Sequence, residues 1–327
     1  VHDDIVIRGL LETDIVLGNT LVDMYSKCGI LVKAHEVLES LPVRDVVSWN
    51  ALISGYVQHG QYYEALHCFE YLQSEGLSPD AVTFICILKS CGSLRDIEKG
   101  TQVHDKILSM NLILKDIVLS NALVDMYAKC GMLAKAQEVL ENLCLRDTIS
   151  WSTMIAGYAQ EGYSHQALRC FEQMQREGLC ANEITFLSLL NACNHAGKLD
   201  DAQTYYENMS RKYGILPNLK HLTCMVVIYG FAGQFDKAIS VIKTIPSPVD
   251  PTVWIALLDA CRKWGNVRLG MLAFDQALQL DPNRAGTYVL MASIYAGAGM
   301  QEDAEKVEAM RVKFCSPEEV VNKHVSG

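Results

Sequence analysis

Apolar positions along the chain recur at helical spacing. Within residues 46–80, Trp49, Leu52, Ile53 and Tyr56 fall at i, i+3, i+4 and i+7, which is the stripe of an amphipathic helix. Ala65, Leu66, Phe69 and Leu72 make a second stripe. Gly60 sits where the first helix should end, and Gly76 followed by Pro79 stops the second, a glycine exit before a helix breaker. The segment predicts helix, turn, helix. One such pair cannot bury both stripes alone, so it must stack on neighbours.

The neighbours are visible in the same chain. "NTLVDMYSKCG" at 19–29 returns as "NALVDMYAKCG" at 121–131, nine of eleven residues unchanged at an offset of 102. The offset recurs for Trp49 and Trp151, Tyr56 and Tyr158, Phe69 and Phe171, Phe84 and Phe186, and Cys91 and Cys193. A repeat of this kind outranks any local assignment. Each 102-residue block divides into units of 31, 35 and 36 residues: 15–45, 46–80 and 81–116, then 117–147, 148–182 and 183–218. A degenerate unit follows at 219–250. No segment with strand periodicity competes, and the expected fold is an all-α solenoid of stacked helix-turn-helix repeats.

A polar line interrupts the apolar pattern. Asn121, Asp125 and Lys129 stand at i, i+4 and i+8, on one face of one helix. Asn19, Asp23 and Lys27 repeat it; Asn50, Ser54 and Gln58, and Ser152, Ala156 and Gln160, are the counterparts in the 35-residue units. A solvated face, or Asn near a helix cap, is the bland reading. Recurrence of Asn or Ser at the fifth position of the 31- and 35-residue units favours another. Stacking would align the lines on one surface, suited to a ligand that itself repeats, such as single-stranded RNA.

Composition narrows this only slightly. The chain is 327 residues long, 50% hydrophobic and 20% charged, with net charge −10. That acidity counts mildly against a nucleic-acid binder but leaves room for a local track. No apolar run of 18 residues appears, so no membrane span is expected. The twelve cysteines lie mostly within helical patterns and read as reduced, packed thiols. No C-x-x-C occurs, and the lone Cys193–His195 pair completes no zinc site. No metal or cofactor is expected. The start, "VHDDIVIRGLLETD", carries no targeting segment and reads as the second half of a hairpin, so the chain is expected to begin inside a repeat.

The unit lengths, with "SWNALISGY", "EALHCFEYLQSEGLSPD" and "DMYAKCG", resemble the pentatricopeptide repeat family. The alternating lengths resemble its plant-type P-L-S subclass. The resemblance covers essentially the whole chain and implies a right-handed superhelix. It assigns 1–14 to a partial L unit and 15–250 to seven units: S (15–45), P (46–80), L (81–116), S (117–147), P (148–182), L (183–218) and S-like (219–250). "PTVWIALLDACRKWGNVRLG" and "LDPNRAGTYVLMASIYAGAGMQEDAEKV" resemble the two E motifs of that subclass, and also tetratricopeptide units. They are placed at 251–284 and 285–317, with a tail at 318–327.

The resemblance also implies roles. The fifth residue of a unit contacts a base edge and the last residue tunes it, giving the pairs Asn19/Asp45, Asn50/Asp80, Asn121/Asp147, Ser152/Asn182 and Thr223/Asp250. Asn/Asp implies a pyrimidine, chiefly U; Ser/Asn implies A and Thr/Asp implies G. The L units hold Ile85/Asp116 and Leu187/Asn218, whose apolar fifth residues imply no preference. The implied core is 5′-U-U-N-U-A-N-G. Val16, Val47, Val82, Val118, Ile149 and Ile184, at second positions, would sandwich bases or pack between units; Lys220 breaks that pattern. Lys27 and Lys129 would approach phosphates, weakened by Asp23 and Asp125, so a shallow salt dependence is expected.

Members with E motifs often continue into a deaminase, which needs H-x-E and P-C-x-x-C. This sequence has neither, and no catalytic site is expected in it. The implied function is site recognition in organellar C-to-U editing, in chloroplast or mitochondrion. A deaminase would be supplied by a protein partner at the E region or by a missing C-terminal domain. The alternatives are a protein–protein scaffold, or RNA binding for transcript stabilisation or splicing.

Overall fold

The computed structural model describes residue 11 and residues 14–112, 116–143, 145–246 and 249–315. Most of the expected partial unit at 1–14, and the tail at 318–327, lie outside the described residues. Among the described residues every regular element is an α-helix. The chain divides into two compact bodies, residues 1–161 with 169–180, and residues 162–168 with 181–327.

The first body contains α1 (Ile15–Lys27), α2 (Leu31–Ser40), α3 (Val46–Gln58), α4 (Tyr62–Ser74), α5 (Ala81–Leu94), α6 (Ile97–Ser109), α7 (Ile117–Lys129), α8 (Leu133–Glu141) and α9 (Thr148–Gln160). α10 (Ser164–Arg176) is shared between the bodies. The second body contains α11 (Glu183–Ala196), α12 (Leu199–Arg211), α13 (Leu219–Phe231), α14 (Phe235–Ile242), α15 (Pro251–Trp264), α16 (Val267–Leu280), α17 (Ala285–Gly297) and α18 (Gln301–Cys315).

Odd-numbered helices stack on one another. In the first body α1 packs on α3, α3 on α5, α5 on α7 and α7 on α9; in the second, α11 packs on α13, α13 on α15 and α15 on α17. Each even-numbered helix packs against the odd helix preceding it within its body. The result is an all-α repeat solenoid, two helices deep. Leu52, Ile53, Leu72, Phe84, Ile87, Leu88, Leu119, Leu123 and Val124 have no exposed surface. Each large side chain so buried contributes about 1.5–3 kcal/mol, and the covering surface comes from the next hairpin.

Helix boundaries follow local chemistry. Asp45, Asp80 and Asp147 sit at N-caps in extended backbone, and each carboxylate accepts from the N–H three residues on. Gly60 lies just past α3 with φ 75°, the left-handed exit that glycine makes without strain. The indole of Trp49 donates to Glu75 at 2.8 Å, and Arg44 pairs with Glu75 at 2.6 Å. Trp151, Arg146 and Glu177 repeat this clamp at 2.8 Å and 3.0 Å. It ties the start of an odd helix to the end of its even partner.

The cysteines behave mostly as expected. All described ones are free thiols, and Cys68, Cys91, Cys170, Cys193, Cys224 and Cys261 are buried. Burial pushes the Cys68, Cys91 and Cys193 thiols up to about 12, so they stay protonated. Cys28 and Cys180 are exposed, because they fall in turns and not on a packed stripe.

Candidate nucleic-acid interface

The last residue of one unit is the N-cap of the next odd helix, and stacking brings it against the preceding odd helix. Asn50 on α3 donates through Nδ2 to both carboxylate oxygens of Asp80, at 2.9 and 3.1 Å. Asn19 on α1 donates to Asp45 at 3.3 Å, and Asn121 on α7 to Asp147 at 3.2 Å. Three of the five expected pairs are therefore joined directly. The amides are not on a solvated face: Asn50 and Asn121 are only 8% and 7% exposed, while Lys27 at the far end of its helix is exposed.

A third residue completes each cluster. The hydroxyl of Ser48 donates to Asn19 Oδ1, that of Thr83 to Asn50 Oδ1 and that of Ser150 to Asn121 Oδ1, each at 2.6 Å. The same hydroxyls lie 2.9 Å from the cap carboxylate and accept the cap residue's own N–H. Burial alone would raise the Asp45 and Asp147 carboxyls. Hydrogen bonds from Ser48 and Asn19, and from Ser150 and Asn121, hold them below the ordinary carboxylate value instead. The Asp45 and Asp147 clusters thus each contain an ionised acid. Each cluster uses one hydrogen of the Asn amide nitrogen and one lone pair of its oxygen, and an amide has one more of each.

The other expected positions are placed differently. Asp116 accepts from the N–H groups of Val118 and Leu119 at 2.8 and 3.2 Å. With Leu119 at the third position and Ile85 at the fifth, no polar cluster forms at that step. Ser152 is buried on α9, and in the second body Asn182 caps α11. Thr223 and Asp250 line one cavity of about 450 Å³ with Lys220 and Asn191. The Thr223 hydroxyl, however, donates to the Leu219 carbonyl at 2.8 Å, and Asp250 is engaged by Thr252. Asn218, last residue of the second L unit, bonds His221 and Glu183.

Beside the clusters of the first body lie exposed apolar side chains, and one more, Ile184, belongs to the second body. Val16, Val47, Val82, Val118, Ile149 and Ile184 are between 50% and 68% exposed. Packing between units does not cover them, so a structural role alone leaves them unexplained. The two lysines are already paired: Lys27 with Asp23 and Lys129 with Asp125, both at 2.7 Å one turn apart. Sequence reasoning overlooked Ser48, Thr83 and Ser150. Their signal was present, since "DVVS", "DAVT" and "DTIS" each place a cap acid three residues before a hydroxyl.

Known proteins resemble this chain in sequence and in fold. The profile described as PPR repeat family matches residues 44–93 and 146–195, and that described as PPR repeat matches 19–46, 118–146 and 184–213. Two curated relatives are Arabidopsis thaliana proteins. Pentatricopeptide repeat-containing protein CRR2, chloroplastic, is 37% identical over 314 residues, covering 95% of this chain and 47% of the relative. A mitochondrial pentatricopeptide repeat-containing protein is 37% identical over 302 residues, covering 92% of this chain and 48% of its own length. The chain thus spans about half the length of these relatives. Among solved structures, the pentatricopeptide repeat protein PPR10 in complex with an 18-nucleotide psaJ RNA element aligns with TM-score 0.75 and 18% identity. It covers 95% of this chain and 47% of that one, a likeness of fold.

Proposed function

This chain belongs to the pentatricopeptide repeat family, and on that premise we propose that it binds single-stranded RNA, one base per repeat unit. The carrying observation is the recurrent pairing of a buried or half-buried Asn amide with a cap carboxylate, flanked by exposed β-branched side chains. One uncommitted group of the amide, its second N–H or its second lone pair, can meet the O4 acceptor or the N3–H donor of a uracil edge. Val or Ile on either side offers an apolar surface to the base face. Lys27 and Lys129 are each neutralised by an acid one turn away and the ionised Asp45 and Asp147 add negative charge, so binding should rest on base contacts more than on phosphates.

The proposed register reads 5′-U-U-N-U-A-N-G from the unit at 15–45 to that at 219–250. We assign the alternating units to the P-L-S subclass and residues 251–317 to E-type motifs. The fifth positions there are Ile255 and Val289, apolar like those of the L units, so the base track ends before them. Exposed Met271, Leu272, Met310, Val312 and Phe314 favour protein contact at that end. This fits a recognition factor for C-to-U editing that recruits a deaminase held elsewhere. The chloroplastic and mitochondrial relatives support an organellar setting.

The test is a binding panel using short RNAs carrying the core and its single-base variants. Asn121→Ser with Asp147→Asn should move the fourth-position preference from U towards A. A well-read base should be worth about 1–3 kcal/mol by analogy with bidentate base contacts. Absence of RNA binding, or an unchanged preference in the double variant, would leave a protein scaffold as the better account.

A further inference from the structure

We propose that the third-position hydroxyls Ser48, Thr83 and Ser150 are specificity-positioning residues, which lock the orientation of the Asn amide on the preceding helix and so separate U from C. The inference rests on the base-reading function above. It adds a residue from the following unit to the reading of each of three bases.

The argument begins with the two faces of the amide. An Asn side chain can turn over by half a rotation, exchanging donor for acceptor with little change of shape. Each cluster breaks that symmetry. The cap carboxylate takes the Nδ2 side, accepting at 3.3 Å from Asn19, 2.9 Å from Asn50 and 3.2 Å from Asn121. The hydroxyl stands against the other side at 2.6 Å in all three. Its single proton has two acceptors in reach, the amide oxygen and the carboxylate at 2.9 Å; the shorter distance places it on the amide oxygen. Turning the amide would set its oxygen against the carboxylate. With Asn50 and Asn121 so little exposed, water does not substitute for either partner.

Orientation matters because the two pyrimidines present opposite patterns. From O4 inwards, uracil offers an acceptor then a donor; from N4 inwards, cytosine offers a donor then an acceptor. An amide held one way turns one remaining group, N–H or lone pair, to the base, and the same amide turned over offers the other, so each orientation suits one of the two. The carboxylate alone biases the choice, whereas carboxylate and hydroxyl together fix it. At the step from 81–116 to 117–147 the hydroxyl is missing and the fifth residue is apolar: Leu119 follows Ile85.

The experiment uses the full chain and measures equilibrium binding to the core RNA with U or C at the fourth position. Ser150→Ala should reduce the U-over-C preference there about three- to tenfold, the worth of one hydrogen bond. Preferences at the first and second positions should be unchanged. Ser150→Thr restores the hydroxyl and should restore the preference. Thr83→Val, nearly isosteric, repeats the test at the second position if Ser150→Ala does not fold. A Ser150→Ala chain that keeps its preference while Asn121→Ala loses it overturns the positioning role and leaves base reading intact. If Asn121→Ala also keeps the preference, base reading falls and the positioning role with it. Uniform weakening at every position, unrescued by Thr, would show a structural role only and overturn the proposal.

Discussion

The close approach of stacked helices depends on glycines whose substitution should hurt in an order opposite to the naive one. A Cβ built on Gly157 of α9 lies 2.8 Å from the Cβ of Ala128 on α7. Both carbons are fixed to helical backbone, so neither has a flexible end that can swing away. Ordinary carbon contacts lie at about 3.5–4.0 Å, so α7 and α9 must separate by roughly an ångström. Overpacking of this kind costs about 1–3 kcal/mol, and the better helix propensity of alanine returns about 0.5–1 kcal/mol. Gly157→Ala should therefore lose about 0–2.5 kcal/mol, centred near 1. A Cβ on Gly100 comes closer, 2.5 Å from Met126 Sδ and 2.9 Å from its Cε. Those atoms end a flexible thioether, and a rotamer change costs about 0.5–1.5 kcal/mol. Gly100→Ala should thus be near neutral despite the shorter distance. Urea unfolding followed by helical circular dichroism would rank the variants. The same separation would stretch the 3.2 Å Asn121–Asp147 and 2.6 Å Ser150–Asn121 bonds, so Gly157→Ala should also blunt the fourth-position preference. A Gly157→Ala chain at least as stable as Gly100→Ala would refute the reasoning.

Val118→Asp or Val47→Asp should weaken core-RNA binding by tenfold or more with little change in melting temperature, because both valines are more than half exposed and a carboxylate beside a base face repels the strand; titration with melting as the control checks it. Lys129→Ala should change affinity less than about twofold and leave the salt slope within one unit, because its ammonium already pairs with Asp125 at 2.7 Å. Asp125→Asn frees that charge and should tighten binding, measurable in the same salt titration. Asp147 has a folded value below the ordinary carboxylate value, so its stabilising charge is fully present above that ordinary value and is lost as pH falls through the lowered one. The melting difference between the wild-type chain and Asp147→Asn should therefore shrink across that acidic window.

Most of the fold could be read because helical periodicity and a 102-residue offset state it twice. The pairs Asn19/Asp45, Asn50/Asp80 and Asn121/Asp147 were legible only through resemblance, since their members stand 26 or 30 residues apart and nothing local joins them. The capping signal explains why they meet. An acid at the end of one unit starts the next helix, and a helix stacked at glycine-permitted distance, as at Gly55 against Ser26, carries its cap into reach of the preceding amide. Local and long-range chemistry thus use the same carboxylate. Ser48, Thr83 and Ser150 escaped notice for the same reason: as members of a capping box they already had a sufficient local explanation. Their second bond, to an amide 29 or 33 residues earlier, exists only in the stack. By the same logic Thr223 and Asp250 fail to join, because Thr252 and the Leu219 carbonyl satisfy each of them locally. A seventh position that discriminates G more weakly than the fourth discriminates U would follow from that difference, and the same RNA panel would measure it.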